Sequence, residues 1–142
     1  MMSAALKSSL SLRDMSLFRE QAFVAGRWEG SPDGQVKQVV NPATGAVIGT
    51  VPNLGAQETR RAIEAAQKAL PDWRARTAKE RAQVLRKWFE LMMANQEDLA
   101  VLMTVEQGKP LVESRGEIAF AASFIEWFAE EGNRAYGDVI PS

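Results

Sequence analysis

Residues 21–52 read QAFVAGRWEGSPDGQVKQVVNPATGAVIGTVP, and this stretch decides the fold class. Short apolar runs alternate here with turn residues, a pattern that is typical of short strands. The turn at residues 31–34 combines proline, which fixes φ, with glycine, which accepts positive φ. We expect three short strands in one antiparallel sheet, centred on Phe23, on residues 36–40 and on residues 47–51. A sheet this small needs another element to pack against.

The hydrophobic pattern changes to that of helices after residue 55. Ile63 and Leu70 recur at helical spacing opposite a charged side, and Pro71 is expected to break or kink this first helix. The sequence TAKE at residues 77–80 is a capping box, because its Thr and Glu side chains can each bond the backbone amide of the other residue. This motif predicts the start of a second helix.

Two further helices follow. An acidic first turn at residues 95–98 suits the start of the third helix, and Gly108 is placed to end it. Pro110 fits the first position of a fourth helix, expected over residues 111–135. This helix is apolar over a wide arc, so we expect it to be covered on both sides. Close packing would then explain Gly116 in its interior, where glycine is otherwise unfavourable.

The order of strands followed by helices predicts an α+β arrangement. Residues 1–20 are expected to form a flexible N-terminal lead that docks through Leu17 and Phe18, and a targeting peptide is the alternative. Residues 21–52 are expected to form a β-hairpin segment, and residues 53–142 a helical part.

Composition excludes several classes of chemistry. The 142 residues are 46% hydrophobic, which is ordinary for a globular domain, and they contain neither cysteine nor histidine. A cysteine nucleophile, a disulfide, a Cys/His zinc site and a Ser-His-Asp triad therefore cannot arise within these residues. The 17 basic and 18 acidic residues nearly balance, so we expect no nucleic-acid partner and no membrane partner.

Motifs alone identify no catalytic constellation. The sequence contains neither GxGxxG nor a P-loop. Glu126 and Glu130 lie one helical turn apart, which is usual for a solvated helix face. Phe120, Phe124 and Trp127 form a stripe that either lines an apolar pocket or belongs to the core.

Several stretches together resemble the amino-terminal part of NAD(P)-dependent aldehyde dehydrogenases, and the likeness runs over about residues 17–142. In chain order they are FVAGRW (23–28), VNPATG (40–45), TAKER (77–81), EQGKP (106–110), SFIEWFAEE (123–131) and YGDVIP (136–141). The last two resemble the succinate-semialdehyde or glutarate-semialdehyde dehydrogenase branch.

The resemblance implies an α+β piece of the α/β aldehyde dehydrogenase fold, with antiparallel hairpins followed by about four helices. Most of the cofactor domain and the whole catalytic domain would be missing. The nucleophilic cysteine, the general-base glutamate and the oxyanion-stabilising asparagine of the family lie beyond residue 142. We therefore expect a truncated semialdehyde dehydrogenase that is inactive alone. NADP or NAD would serve the complete enzyme and would bind poorly to this fragment.

The resemblance also implies site residues and partners. Phe120 and Phe124 would line the substrate tunnel. The Val40 carbonyl and the Glu106 carboxylate would hold a monovalent cation, although the family often has a shorter aspartate at the second position. The alternative for Glu106 is a helix-end cap or an ion pair. The complete enzyme would act on a small aliphatic semialdehyde, form a homo-oligomer and be cytoplasmic.

Two other hypotheses remain open at this point. One is a non-catalytic interaction module that docks on a full-length aldehyde dehydrogenase or on another partner. The other is a helical domain of unrelated function. The enzyme fragment and the interaction module both predict surplus exposed apolar surface, whereas the unrelated domain predicts a closed core.

Overall fold

The computed structural model describes residues 10–135, so the stretch expected to matter at residues 136–141 lies outside it. Four short strands form two separate antiparallel hairpins within the described part of the chain. The strands are β1 Ala22–Val24, β2 Arg27–Glu29, β3 Val36–Val40 and β4 Val47–Pro52. The predicted hairpins are confirmed, but the expectation of three strands in one sheet is wrong.

The extra strand arises at residues 25–26. Ala25 and Gly26 both adopt positive φ, at 51° and 80°, which is the backbone of a tight two-residue hairpin turn. The chain therefore reverses after only three residues and pairs Phe23 with Trp28 across the hairpin. Their ring centroids lie 5.1 Å apart, and the Arg19 guanidinium lies 4.9 Å from the Trp28 ring centroid.

Four helices follow the hairpins: α1 Ala56–Ala75, α2 Ala78–Ala94, α3 Gln96–Gln107 and α4 Leu111–Glu131. The first one continues through Pro71 to Ala75, so the predicted break there is wrong. Proline lies in the last turns, where its missing amide and its ring disturb only one or two intrahelical bonds. This helix contributes no buried residue to the fold.

The predicted capping box of α2 is confirmed. The Glu80 amide donates to Thr77 Oγ1 at 3.3 Å, and the Thr77 amide donates to Glu80 Oε2 at 2.7 Å. The hydrogen bond from the Thr77 amide lowers the pKa of the Glu80 carboxyl below its ordinary value. The box thus satisfies two backbone donors that the helix start would leave unpaired.

The core lies where α4 crosses α2 and α3. The side of α4 that is buried is made mostly of small residues, namely Ser114, Ile118, Ala122 and Ala129. Thr104 on α3 and the fully buried Ser114 share a hydroxyl–hydroxyl hydrogen bond of 2.9 Å. Small side chains let the helices approach closely, but they bury little apolar area.

The N-terminal stretch from residue 10 lies against the helices and the second hairpin. The buried carboxylate of Asp98 accepts hydrogen bonds from the amides of Arg13 and Asp14 at 3.0 and 2.8 Å. The predicted docking through Phe18 is confirmed, because a Cβ added at Gly49 would lie 2.7 Å from its ring.

The exposed surface exceeds that of a closed domain. The whole chain exposes 10501 Å², whereas a compact monomer of this mass exposes about 7300 Å². Large apolar side chains are exposed on both hairpins and on α1, α2 and α4. The closed core expected of an unrelated helical domain is therefore absent from the described residues.

Gly108 and Gly116, at the end of one helix and in the interior of another, differ in their surroundings. Gly108 ends α3 as predicted, with φ at 74° and its amide donating to the Thr104 carbonyl at 2.8 Å. A Cβ there would lie 2.9 Å from Cγ of Pro42. At Gly116, no atom of the described residues lies within 4 Å of the place that a Cβ would take, so the predicted close packing is wrong there.

We therefore expect Gly108→Ala and Gly116→Ala to shift stability in opposite directions. Gly108→Ala should lower the free energy of unfolding by about 1–2 kcal/mol, because alanine is strained at positive φ. Gly116→Ala should raise it by about 1 kcal/mol, because alanine is the better helix former. Urea unfolding followed by circular dichroism at low protein concentration measures both. Shifts of the same sign would contradict this account of the two positions.

Candidate functional site

The main candidate site is the aromatic face of α4, formed by Phe120, Phe124, Trp127 and Phe128. These side chains are 50–65% exposed, so the alternative that they belong to the core of this chain is wrong. They line an open groove of about 600 Å³ together with Ser123, Glu126 and Glu130. The expectation that α4 is covered on both sides also fails, since α2 and α3 lie on its opposite side.

Phe120 and Phe124 form an edge-to-face pair within the aromatic face. Their ring centroids lie 4.9 Å apart at an interplanar angle of 79°, which is a favoured arrangement for two aromatic rings. Residues four apart on a helix meet on one side, so the spacing in the sequence produces this contact. The pair presents a firm apolar wall with no charged group of its own.

Arg86 on α2 fixes the acidic edge of the aromatic face. Its guanidinium donates to Glu126 Oε1 at 2.6 Å and to Glu130 Oε1 at 3.1 Å. The hydrogen bond to Glu126 is the largest cause of the raised pKa of Arg86. Because the two carboxylates are one turn apart on α4, a single arginine restrains the rotation of α4 about its axis.

Arg115 ties the other half of α4 to α3. Its Nε and one terminal nitrogen donate to the two carboxylate oxygens of Glu97 at 2.7 and 2.8 Å, a bidentate pair. The side-chain amide of Gln96 donates to the Arg115 carbonyl at 2.9 Å. The Arg115 guanidinium therefore serves the α3–α4 contact rather than the aromatic face.

The second candidate site joins the end of β3 to the end of α3. Val40 is the last residue of β3, and Glu106 is the next-to-last residue of α3. Pro42 packs on Gly108, which brings the turn after β3 to the end of α3. Within residues 10–135, the exposed carboxylate of Glu106 has neither a hydrogen-bond partner nor an ion-pair partner, so neither alternative role is seen for it there.

Neither a multidentate metal centre nor a membrane span occurs in the described part. Residues 10–135 contain no group of three or more Asp, Glu, His or Cys side chains that could hold a metal ion. Among the helices of that same range, each is too short or too polar to span a membrane.

Three comparisons with known proteins place these features in context. Residues 28–142 match the family described as the aldehyde dehydrogenase family. The chain is 67% identical over 132 residues to a glutarate-semialdehyde dehydrogenase of Pseudomonas putida, covering 93% of the chain and 28% of that protein. It is 61% identical to an NADP(+)-dependent succinate-semialdehyde dehydrogenase of Escherichia coli, covering 93% of the chain and 27% of that protein.

A solved structure agrees with these relatives. The crystal structure of an E. coli NADP-dependent enzyme superposes with a TM-score of 0.91 at 61% identity, over 93% of this chain and 27% of that one. The chain thus spans about a quarter of the length of the proteins that it matches. The match lies in their N-terminal part.

The Glu97–Arg115 pair predicts an acid-dependent contribution to stability. The hydrogen bond from Arg115 is the main cause that lowers the pKa of Glu97 below its ordinary value of 4.5. A lowered carboxyl pKa stabilises the fold above the ordinary pKa, and the contribution is lost as the pH falls through the folded-state pKa. Thermal unfolding of Glu97→Gln and of the unchanged chain should therefore differ by a constant amount from pH 7 to about pH 5 and converge below.

Glu90→Gln is the matched control, because Glu90 is an exposed glutamate with only a 3.8 Å pairing to Lys87. Its melting temperature should stay close to that of the unchanged chain over the same pH range. A Glu97→Gln difference that persists undiminished at the acid end would show that the carboxylate charge is not what stabilises the contact.

Proposed function

Because the chain belongs to the aldehyde dehydrogenase family, we propose that it forms the N-terminal part of an NAD(P)-dependent semialdehyde dehydrogenase. The complete enzyme would oxidise a small aliphatic semialdehyde, such as succinate semialdehyde, to the carboxylic acid. The observation that carries this proposal is the identity of 67% and 61% to two semialdehyde dehydrogenases over 93% of the chain.

The chemistry that the family resemblance implies lies outside these 142 residues. In the complete enzyme a thiolate attacks the aldehyde, hydride passes to the nicotinamide and water releases the acid. This chain has no cysteine and no glycine-rich phosphate loop. Its residues therefore do not fit a nicotinamide site, and the proposal assigns the nucleophile and the cofactor-binding residues elsewhere.

The role proposed for this chain is to shape the substrate site. Phe120 and Phe124 supply an apolar wall, which suits the methylene chain of an aliphatic semialdehyde and excludes water from one side. Arg86 supports that wall by holding α4 through Glu126 and Glu130. The wall is a tunnel side only when another part of the enzyme faces it.

A structural cation site is a further part of the proposal. The Val40 carbonyl and the Glu106 carboxylate would contribute oxygen ligands to a monovalent cation at the junction of β3 and α3. The contact of Pro42 with Gly108 supports this pairing, because it brings together the chain segments that carry the two ligands. A cation there would tie the second hairpin to the helices.

The assembly and the location that the resemblance implies are proposals too. The complete protein would be a homo-oligomer in the cytoplasm, and the cysteine-free sequence suits a reducing compartment. The alternative function is a non-catalytic module that docks on a full-length aldehyde dehydrogenase, and the large exposed apolar side chains favour it as the second candidate.

We expect the 142-residue chain alone to show no turnover. With NADP+ and succinate semialdehyde, absorbance at the NADPH wavelength should rise at least about 10⁴-fold more slowly than with the full-length E. coli relative, since loss of a nucleophile has effects of that order. The full-length relative under the same conditions is the positive control. Product formation that scales with the concentration of the chain would overturn the placement of the chemistry.

The wall is tested in a chimera in which this chain replaces the matching N-terminal quarter of the E. coli relative. Phe120→Ala and Phe124→Ala should each raise the KM for succinate semialdehyde by about tenfold, because an apolar contact of this size is worth about 1–3 kcal/mol. The KM for NADP+ should stay unchanged. Trp88→Ala, an equally exposed aromatic on α2, is the matched control and should leave both values unaltered.

A chimera in which Trp88→Ala and Phe124→Ala act alike would refute the substrate role of the aromatic face. Phe120→Ala and Phe124→Ala proteins that change only the KM for NADP+ would refute it as well. Retention of the circular dichroism spectrum separates these outcomes from simple misfolding.

A further inference from the structure

The aromatic face is an exposed apolar surface on a chain that leaves it without a partner among residues 10–135. We propose that it is the contact surface for a second copy of this chain, with the two α4 helices antiparallel about a two-fold axis at Phe120. This pairing is a property of the 142-residue chain and goes beyond the proposed function, in which the same face belongs to the substrate.

The area of the face is sufficient for a weak specific dimer. Its four aromatic side chains are each half or more exposed. Since a buried aromatic side chain covers about 150–250 Å², pairing two such faces removes about 1000 Å² from water. An area of about 1000 Å² is the lower bound for a specific protein interface.

The face is self-complementary about Phe120. A two-fold axis there places residue 116 of one copy opposite residue 124 of the other, because both are four residues from the axis. Gly116 has open space where a Cβ would lie, so the Phe124 ring of the second copy can approach the helix backbone. The pairing thereby gives this helix-interior glycine a packing role that the single chain does not provide.

Charge selects the same register. With the axis at Phe120, Glu113 faces Trp127 of the second copy and Glu117 faces Ser123, so no like charges meet along the shared stripe. Moving the axis by two residues to Ala122 would set Glu113 opposite Glu131 of the second copy, and like charges in contact destabilise an interface. The antiparallel arrangement also places opposite ends of the helix dipoles side by side.

Sedimentation equilibrium of the unchanged chain and of four variants tests the proposal. The unchanged chain should be a dimer at about 100 µM, because an interface of this size is of modest affinity. Phe120→Lys alone and Phe120→Glu alone should each weaken the dimer by at least about tenfold, because two like charges then meet at the axis. An equimolar mixture of the two variants should recover the dimer, since Lys then faces Glu.

Trp88→Lys is the matched control, because Trp88 is 55% exposed, close to the 59% of Trp127, but lies on α2. It should leave the dimer intact, whereas Trp127→Lys should weaken it. An unchanged chain that is monomeric, or that forms open-ended aggregates, would overturn the proposal. So would loss of the dimer in Trp88→Lys, or failure of the Phe120→Lys and Phe120→Glu mixture to associate.

These outcomes are distinguishable from failure of the proposed function. The substrate role of Phe120 and Phe124 is measured by the KM of the chimera, in which the rest of the enzyme is present. A chain that stays monomeric therefore leaves the substrate wall unaffected, and a chimera without a KM effect leaves the dimer unaffected.

Discussion

The packing of α4 on α2 and α3 is the constraint on which the structure depends. Ser114, Ala122 and Ala129 are small, so the three helices lie close together on one side of α4. The larger side chains of the helix are thereby left on the other side. Because close packing by small residues buries little area, two ion-pair systems, from Arg86 and from Arg115, fix the position of α4.

Local signals account for much of what could be predicted from the sequence. The capping box at Thr77 and the helix end at Gly108 depend on residues within one turn of each other, so the pattern alone locates them. The separate strand after Ala25-Gly26 could not be predicted in this way, because alanine seldom adopts positive φ. The break at Pro71 was wrong because its cost depends on the distance to the helix end, which pattern does not reveal.

The candidate site was accessible to sequence reasoning only in part. The i,i+4 spacing of Phe120 and Phe124 predicts their contact, but whether that contact is core or surface depends on tertiary packing. Arg86 and Glu126 are 40 residues apart, and Glu97 and Arg115 are 18 apart, so no local pattern connects them. The one available signal was the pair Glu126 and Glu130, whose carboxylates one turn apart suit a bridging arginine.

The distribution of tryptophan has a practical consequence. The four indole rings lie one each on the first hairpin, α1, α2 and α4, at Trp28, Trp73, Trp88 and Trp127, and all are exposed. Any partner that covers one of these surfaces must remove a single indole from water. Each surface thus carries its own intrinsic fluorophore, and the emission wavelength of single-tryptophan versions of the chain reports which surface has been covered.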